Sequence, residues 1–265
     1  MEDTQDVIIL DKVTFKYHGR TIIDNVSLEV KSGDFFCLLG PSGVGKSTLL
    51  HLITGHLKPS SGDIYYRGSN VGNLNKKQLA SMRQSMGFLF QAGALFNGLN
   101  VLDNVVFPLR YHYKLPKSIV EMHGLLKLEQ VGLRNAAHLR PHELSGGMSR
   151  RVALARAICL DPQMLIYDEP FVGQDPVTVR VLVKLMQRLM MTPGTTSFMV
   201  THDIKTAITL ANKVGVLSDG KWVFLGAPKD MDAINDPWLA QFIGDNDHGP
   251  IPFHYPGESF EESLS

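Results

Sequence analysis

Two patterns of apolar and polar positions alternate along the chain. Near the start, Val7-Ile8-Ile9-Leu10, Val13-Thr14-Phe15-Lys16-Tyr17 and Val26-Ser27-Leu28-Glu29-Val30 carry strand signals, punctuated by turn residues at Gly19 and Asp24-Asn25. They predict an antiparallel sheet, extended by Asp63-Ile64-Tyr65-Tyr66-Arg67 after Ser60-Ser61-Gly62. Elsewhere the runs are short and mostly apolar: Asp34-Phe35-Phe36-Cys37-Leu38-Leu39, Met86-Gly87-Phe88-Leu89-Phe90, Met164-Leu165-Ile166-Tyr167, Ser197-Phe198-Met199-Val200 and Val214-Gly215-Val216-Leu217. Such runs suit parallel strands covered on both faces. Between Gln91 and Arg156 no strand pattern appears, and residues 118–131 and 147–158 have helical spacing. The expected architecture is an α/β core with a helical insertion at about 92–160 and an antiparallel β portion.

The first apolar run is followed by Gly40-Pro41-Ser42-Gly43-Val44-Gly45-Lys46-Ser47-Thr48, and Ser47-Thr48-Leu49-Leu50-His51-Leu52-Ile53 continues with helical spacing. Glycines at this spacing let the backbone aim successive N–H groups at phosphate oxygens; Lys46 can reach terminal phosphates and Ser47 offers Mg²⁺ a hydroxyl. A strand before and a helix after are what a phosphate loop needs, so the chain is expected to bind a nucleoside triphosphate with Mg²⁺.

Further candidates follow other buried runs. Asp168 comes directly after residues 164–167, where its carboxylate can hold Mg²⁺, and Glu169 can orient or deprotonate an attacking water. The competing reading is a surface Asp-Glu pair capping the next helix. His202 and Gln91 also lie just past buried runs; the histidine can reach a γ-phosphate and the amide can ligate Mg²⁺ or hold water. Tyr17 can stack on a base or pack across a sheet. Leu144-Ser145-Gly146-Gly147 precedes a helix containing Arg150, Arg151 and Arg156, which makes either a second anion site or a capped helix with a basic solvated face. If both turns serve one phosphate, they come from two copies in a head-to-tail dimer.

Composition narrows the field. In 265 residues, 26 acidic and 26 basic side chains balance, so no global field favours nucleic acid or an anionic membrane. No run approaches the roughly 18–20 apolar residues of a membrane span, and Met1-Glu2-Asp3 does not resemble a signal peptide, so a cytoplasmic location is expected. The two cysteines, Cys37 and Cys159, suit small core residues better than a disulfide or metal pair.

Taken as an ordered set, these motifs resemble the nucleotide-binding subunits of ABC transporters over nearly the whole chain. The resemblance implies an α/β fold: a P-loop NTPase (RecA-like) core, an antiparallel β subdomain and a helical ABC subdomain. The ATPase domain would span 1–247, with a tail at 248–265. It further implies that 40–48 is the Walker A loop, Gln91 the Q-loop residue, Ser145-Gly146-Gly147 the signature, Asp168 the Walker B carboxylate, Glu169 the catalytic base, Asp175 the D-loop aspartate and His202 the switch histidine, with Tyr17 at the adenine-stacking position. Met148 departs from the usual glutamine, and Val172-Gly173-Gln174-Asp175 from the usual Ser-Ala-Leu-Asp. Three segments, Gln91-Ala92-Gly93-Ala94-Leu95-Phe96, Asp168 to Pro176 and the tail Gly249 to Pro256, are similar to ATPases of bacterial phospholipid transporters of the MCE type. That likeness implies a homodimer, an integral membrane permease, a STAS-domain subunit, an MCE-domain lipid-binding protein and a place on the cytoplasmic face of the inner membrane, with no nucleic-acid partner. An ABC transporter for another substrate, a soluble ABC ATPase and a regulatory module without turnover stay open as rivals.

Two expectations concern surfaces. Leu95, Phe96, Leu99 and Val101, interleaved with Gly93, Ala94 and Gly98, are expected to form an apolar groove for a permease helix, or else to fill the insertion's own core. Ile251, Phe253, Tyr255 and Phe260 make the Pro-rich tail more apolar than a solvated arm needs, and it is expected to pack on the partner ATPase subunit.

Overall fold

The computed structural model describes residues 6–91, 93–192, 194–234, 236–244 and 249–250. The tail expected to pack on a partner subunit lies outside these, apart from residues 249 and 250.

Two sheets organise the larger of two compact units, Met1–Pro228. The first is four-stranded and antiparallel, in the order β2-β1-β4-β5, built from β1 (Asp6–Tyr17), β2 (Arg20–Lys31), β4 (Ser61–Tyr66) and β5 (Ser69–Asn70). The two expected strands at Val7 and Val13 are one. The pairing register slips between Leu10 and Val13, beside Lys12 with its positive φ of 47°, and this bulge lets two residues three apart both face inward.

The second sheet has six strands in the order β10-β9-β3-β8-β7-β6. They are β3 (Phe35–Leu39), β6 (Met86–Leu89), β7 (Met164–Asp168), β8 (Thr196–Val200), β9 (Lys213–Ser218) and the antiparallel edge strand β10 (Lys221–Gly226). All five residues of β3 and of β8 are buried, as the unbroken apolar runs require of strands covered on both faces. Phe35 stacks on Tyr167 at 5.9 Å between ring centroids, and Phe36 tilts onto Phe198 at 5.1 Å. Each such ring contributes about 1.5–3 kcal/mol by leaving water. Because β3, β6, β7 and β8 run parallel, their carboxyl ends emerge on one edge.

Helix α1 (Lys46–Ile53) leaves that edge after β3, and α2 (Lys76–Gln84) leads into β6. Between β6 and β7 stand α3 (Val101–His112), α4 (Lys117–Gln130) and α5 (Gly146–Ala157), with Val106, Leu109, Val120 and Cys159 forming a small core of their own. Asn100 caps α3 by accepting from the Asp103 N–H at 2.7 Å. Helix α6 (Pro176–Met190) follows β7 and α7 (Ile204–Leu210) follows β8. The structure thus has the α/β class and layered form expected of it.

The second unit, Lys229–Ser265, contains α8 (Pro237–Gly244), started by Asp236, which accepts from the Leu239 N–H at 2.9 Å, and braced by Trp238 stacking on Phe242 at 5.2 Å.

Candidate nucleotide site

A cleft of about 750 Å³ opens at the carboxyl edge of β3, β6, β7 and β8. It brings together Tyr17, Ser42, Gly43, Gly45, Lys46, Ser47 and Thr48 with Gln91, Asp168, Glu169 and His202. Strand order explains the meeting. Asp168 ends β7, Gln91 and His202 each follow their strand's last residue by two, and the glycine loop leaves β3 in the middle of the sheet.

The loop's backbone depends on its glycines. A Cβ on Gly40 would sit 2.4 Å from the Leu217 carbonyl oxygen, and Gly45, at φ 106°, starts α1 in the left-handed region. No side chain caps this helix start, so its first amides are open to an anion, as is the positive end of the helix dipole. Pro41 and Val44 complete the turn, and the Lys46 ammonium donates to the carbonyls of Gly40 at 2.7 Å and Pro41 at 2.9 Å. Burial pulls Lys46 below the usual lysine pKa, opposed by the Glu169 and Asp168 carboxylates. Asp168 is raised above the usual carboxylate range, first by burial and then by Glu169, while His51 and Lys46 act the other way. Two carboxylates beside a buried ammonium thus give the cleft both signs of charge.

Glu169 and His202 are in contact. The His202 Nδ1 lies 3.0 Å from Glu169 Oε2, and Glu169, at φ 45°, is fixed by its N–H donating to the Val200 carbonyl at 2.8 Å. Glu169 is shielded, at 15% side-chain exposure, while His202 is open at 61%. A pair joined in this way can hold a water and orient it. Tyr17 is 60% exposed at the rim, so its ring is free to stack and is not spent on cross-strand packing.

Sequence reasoning passed over His51. It lines the cleft and sits four residues after Ser47, on the same face of α1, so helical spacing from the glycine loop was the signal available.

Ser145, Gly146, Gly147 and Asp175 do not line this cleft. Ser145 Oγ accepts from the Met148 N–H at 3.2 Å and caps α5. Asp175 caps α6, accepting from the N–H groups of Val177 and Thr178 and from the Thr178 hydroxyl at 2.5 Å, and these bonds lower its pKa. The two turns are neighbours: a Cβ on Gly147 would lie 2.7 Å from Thr178 Oγ1, and one on Gly146 3.8 Å from Gln174 Oε1.

Of the two readings left open for the helix after Gly147, the basic solvated face is not what the structure shows: Arg150 is only 5% exposed and, like Arg151 and Arg156, donates to backbone carbonyls. One expectation is corrected, because the apolar groove is built differently. Val101 is fully buried and Leu95 and Leu99 half-buried, so of the four expected residues only Phe96, at 43% exposure, lines the groove of about 400 Å³ observed. Phe88, Phe90, Phe107 and Leu160 are among the other residues of its apolar wall, while the Asn104 amide donates to the carbonyls of Phe96, Leu99 and Asn100 beside the buried Val101.

With the site in view, comparison places the chain. Residues 23–172 match the protein family described as ABC transporter. The chain belongs to the ABC transporter family. It is an ATPase of that family, built as its nucleotide-binding cassettes are. It is 43% identical over 263 residues, 99% of its length and 98% of the other protein's, to the intermembrane phospholipid transport system ATP-binding protein MlaF of Escherichia coli strain K12. The Haemophilus influenzae protein of the same name is 42% identical over 260 residues, 98% of each. Among solved structures, the dimeric ATP-binding cassette MJ0796, in a post-hydrolysis state bound to ADP and Pi, aligns with a TM-score of 0.76 at 31% identity, covering 83% of this chain and 98% of that one.

Among the described residues no helix is long and apolar enough to cross a membrane.

Proposed function

We propose that this ABC ATPase powers the movement of phospholipid between two membranes as the nucleotide-binding subunit of a transporter, seated peripherally beneath an integral permease. The observation that carries the ATPase reading is the gathering of Lys46, Ser47, Gln91, Asp168, Glu169 and His202 in one cleft at one sheet edge. The cargo is argued from near full-length likeness to two proteins named for intermembrane phospholipid transport.

In this reading the amides of residues 40–48 and the Lys46 ammonium receive the β- and γ-phosphates, and Tyr17 stacks on the base. Ser47, Asp168 and Gln91 fit Mg²⁺: a hydroxyl, a carboxylate and an amide oxygen are hard donors, and one carboxylate with substrate phosphates is how that ion is usually held. When bound, Mg²⁺ neutralises charge on the phosphates. Glu169 draws the proton from the attacking water, and His202, held through Nδ1 by Glu169, donates through Nε2 toward the γ-phosphate when both ring nitrogens carry a proton.

Ser145, Gly146, Gly147 and Asp175 complete the site from a second copy. Their separation from the cleft within one chain supports a homodimer closing head-to-tail over two nucleotides. The groove of Phe90, Phe96 and Phe107 receives the permease. A STAS-domain subunit and an MCE-domain lipid-binding protein complete the proposed complex at the inner membrane. Purifying the tagged chain from detergent-solubilised native membranes and identifying its companions by mass spectrometry tests this. A multi-spanning permease with STAS- and MCE-domain proteins is the expected result; a permease of another transport system would change the cargo, and recovery from cytosol alone would end the transporter reading.

A further inference from the structure

Helix α5 carries two guanidinium groups that the chemistry above does not use. Arg150 donates through Nη1 to the Phe90 carbonyl at 2.7 Å and through Nη2 to the Val172 carbonyl at 3.2 Å. Arg156 donates through Nη1 to the Ala94 carbonyl at 2.8 Å and through Nη2 to that of Gly93 at 2.7 Å, with its guanidinium carbon 5.5 Å from the centre of the Phe96 ring. Gln91 is therefore bracketed. The carbonyl just before it and the carbonyls two and three residues after it are all held by one helix.

The backbone of this loop needs holding. Gly93 and Ala94 both lie in the left-handed region, at φ 70° and 49°, a conformation that alanine rarely adopts unaided. In that geometry their carbonyls meet the two arms of a single guanidinium, whose rigid planar fork suits two adjacent acceptors as an ammonium does not. Burial lowers the pKa of both arginines, and neither has a carboxylate partner among the described residues. Their charge is satisfied by main-chain oxygens of the Gln91 loop and of the segment between Glu169 and Asp175.

The same loop has two faces. Gln91 lines the nucleotide cleft, while Phe90, Ala94, Phe96 and Arg156 itself line the apolar groove. At its other end α5 begins with the Ser145 turn.

We propose that Arg156 and Arg150 are positioning residues that clamp the Gln91 loop to α5 and so fix where the Gln91 amide sits in the cleft. This rests on the reading of Gln91 as a site residue. Arg156 holds the far side of the loop through the Gly93 and Ala94 carbonyls, and Arg150 holds its near side through Phe90 while tying the same helix to Val172. Elements linked through a shared contact of this kind respond non-additively to mutation.

The test is a double-mutant cycle on the full-length chain with Arg156→Lys, Gln91→Ala and the combination, reading kcat and KM for ATP hydrolysis alongside amide hydrogen exchange. Arg156→Lys keeps the charge and removes the fork. It should lower kcat about tenfold with KM within about twofold, and Gln91→Ala combined with it should be no slower than Gln91→Ala alone. Exchange should rise at least about tenfold at the Gly93 and Phe96 amides and stay unchanged through the middle of α5. Effects that multiply, a wild-type kcat in Arg156→Lys, or unchanged exchange in the loop would overturn the clamp while leaving the site reading intact. Normal turnover in Gln91→Ala would remove the site reading, and the coupling with it. Should Arg156→Lys not fold, the same cycle with Arg150→Lys decides by the same criteria, since that side chain grips the loop through Phe90 alone.

Discussion

The turns at residues 40–48 and 144–148 are written in similar residues and come to different ends. Both are glycine-rich and both open a helix. At the first, Gly45 stands at the helix start with no side-chain cap, and Lys46, Asp168, Glu169 and His202 crowd round the exposed amides. At the second, Ser145 turns its hydroxyl back onto the Met148 N–H, and the neighbours of the glycines are Gln174 and Thr178, outside the cleft. A glycine-rich helix start is thus only half of an anion site; the parallel sheet supplies the other half by delivering charged side chains to its carboxyl edge. In the proposed dimer the second turn obtains that half from another copy.

The comparison breaks most readily at Glu169. Glu169→Gln should lower ATP turnover by roughly 10²–10⁴, the span of general-base catalysis, while nucleotide binding is retained and the closed dimer accumulates on sizing columns. Normal hydrolysis would move the chemistry away from the first turn's cleft. A smaller effect is expected at the rim. Tyr17→Ala should weaken nucleotide affinity about threefold to tenfold, the worth of one aromatic stack, with no loss of thermal stability because the ring is already exposed. Unchanged affinity, measured by fluorescent-nucleotide titration, would leave Tyr17 with no part in the site.

At the second turn, Ser145→Ala removes a cap worth about 1 kcal/mol and should lower Tm by roughly 2–4 °C. It should leave nucleotide affinity of the monomer unaltered, so a drop in monomer affinity would show that the two turns belong to one site after all. The finest probe is Asp168. Its folded-state pKa is raised, so the fold holds that proton more tightly than the unfolded chain does. Stability from protonation is complete below the unfolded value near 3.8 and is lost as pH rises through the raised folded value. Asp168→Asn should therefore raise Tm at pH 7 and flatten the pH dependence in the acid range. A lower Tm would mean that the carboxylate is already compensated.

Much of this was legible in the residues. Runs such as 35–39 and 198–200 announce buried parallel strands because nothing polar interrupts them, and the α/β class with its ATPase chemistry follows once the ordered motifs are recognised. Less was legible elsewhere. Strand β10 was passed over although Trp222-Val223-Phe224-Leu225 is an apolar run; it is an edge strand with Leu225 exposed, held by antiparallel pairing with β9. The bulge at Lys12 looks in sequence like a gap between two strands. For the arginines of α5 a basic solvated face stayed open as an alternative, since helical spacing alone does not say that five main-chain oxygens from distant loops will surround them.

Sequence by itself therefore determined what each segment can do locally: which runs must be buried, where the backbone needs glycine, and which side chains bring phosphate or proton chemistry. Tertiary structure alone decided who meets whom. The strand order β9-β3-β8-β7-β6 sets the glycine loop, Asp168, Gln91 and His202 on one edge, joins Glu169 to His202, and leaves Ser145 to Gly147 outside. The reason is that contact between residues a hundred positions apart depends on sheet pairing and helix packing, to which every core side chain contributes a little, whereas a motif speaks only for its own few residues.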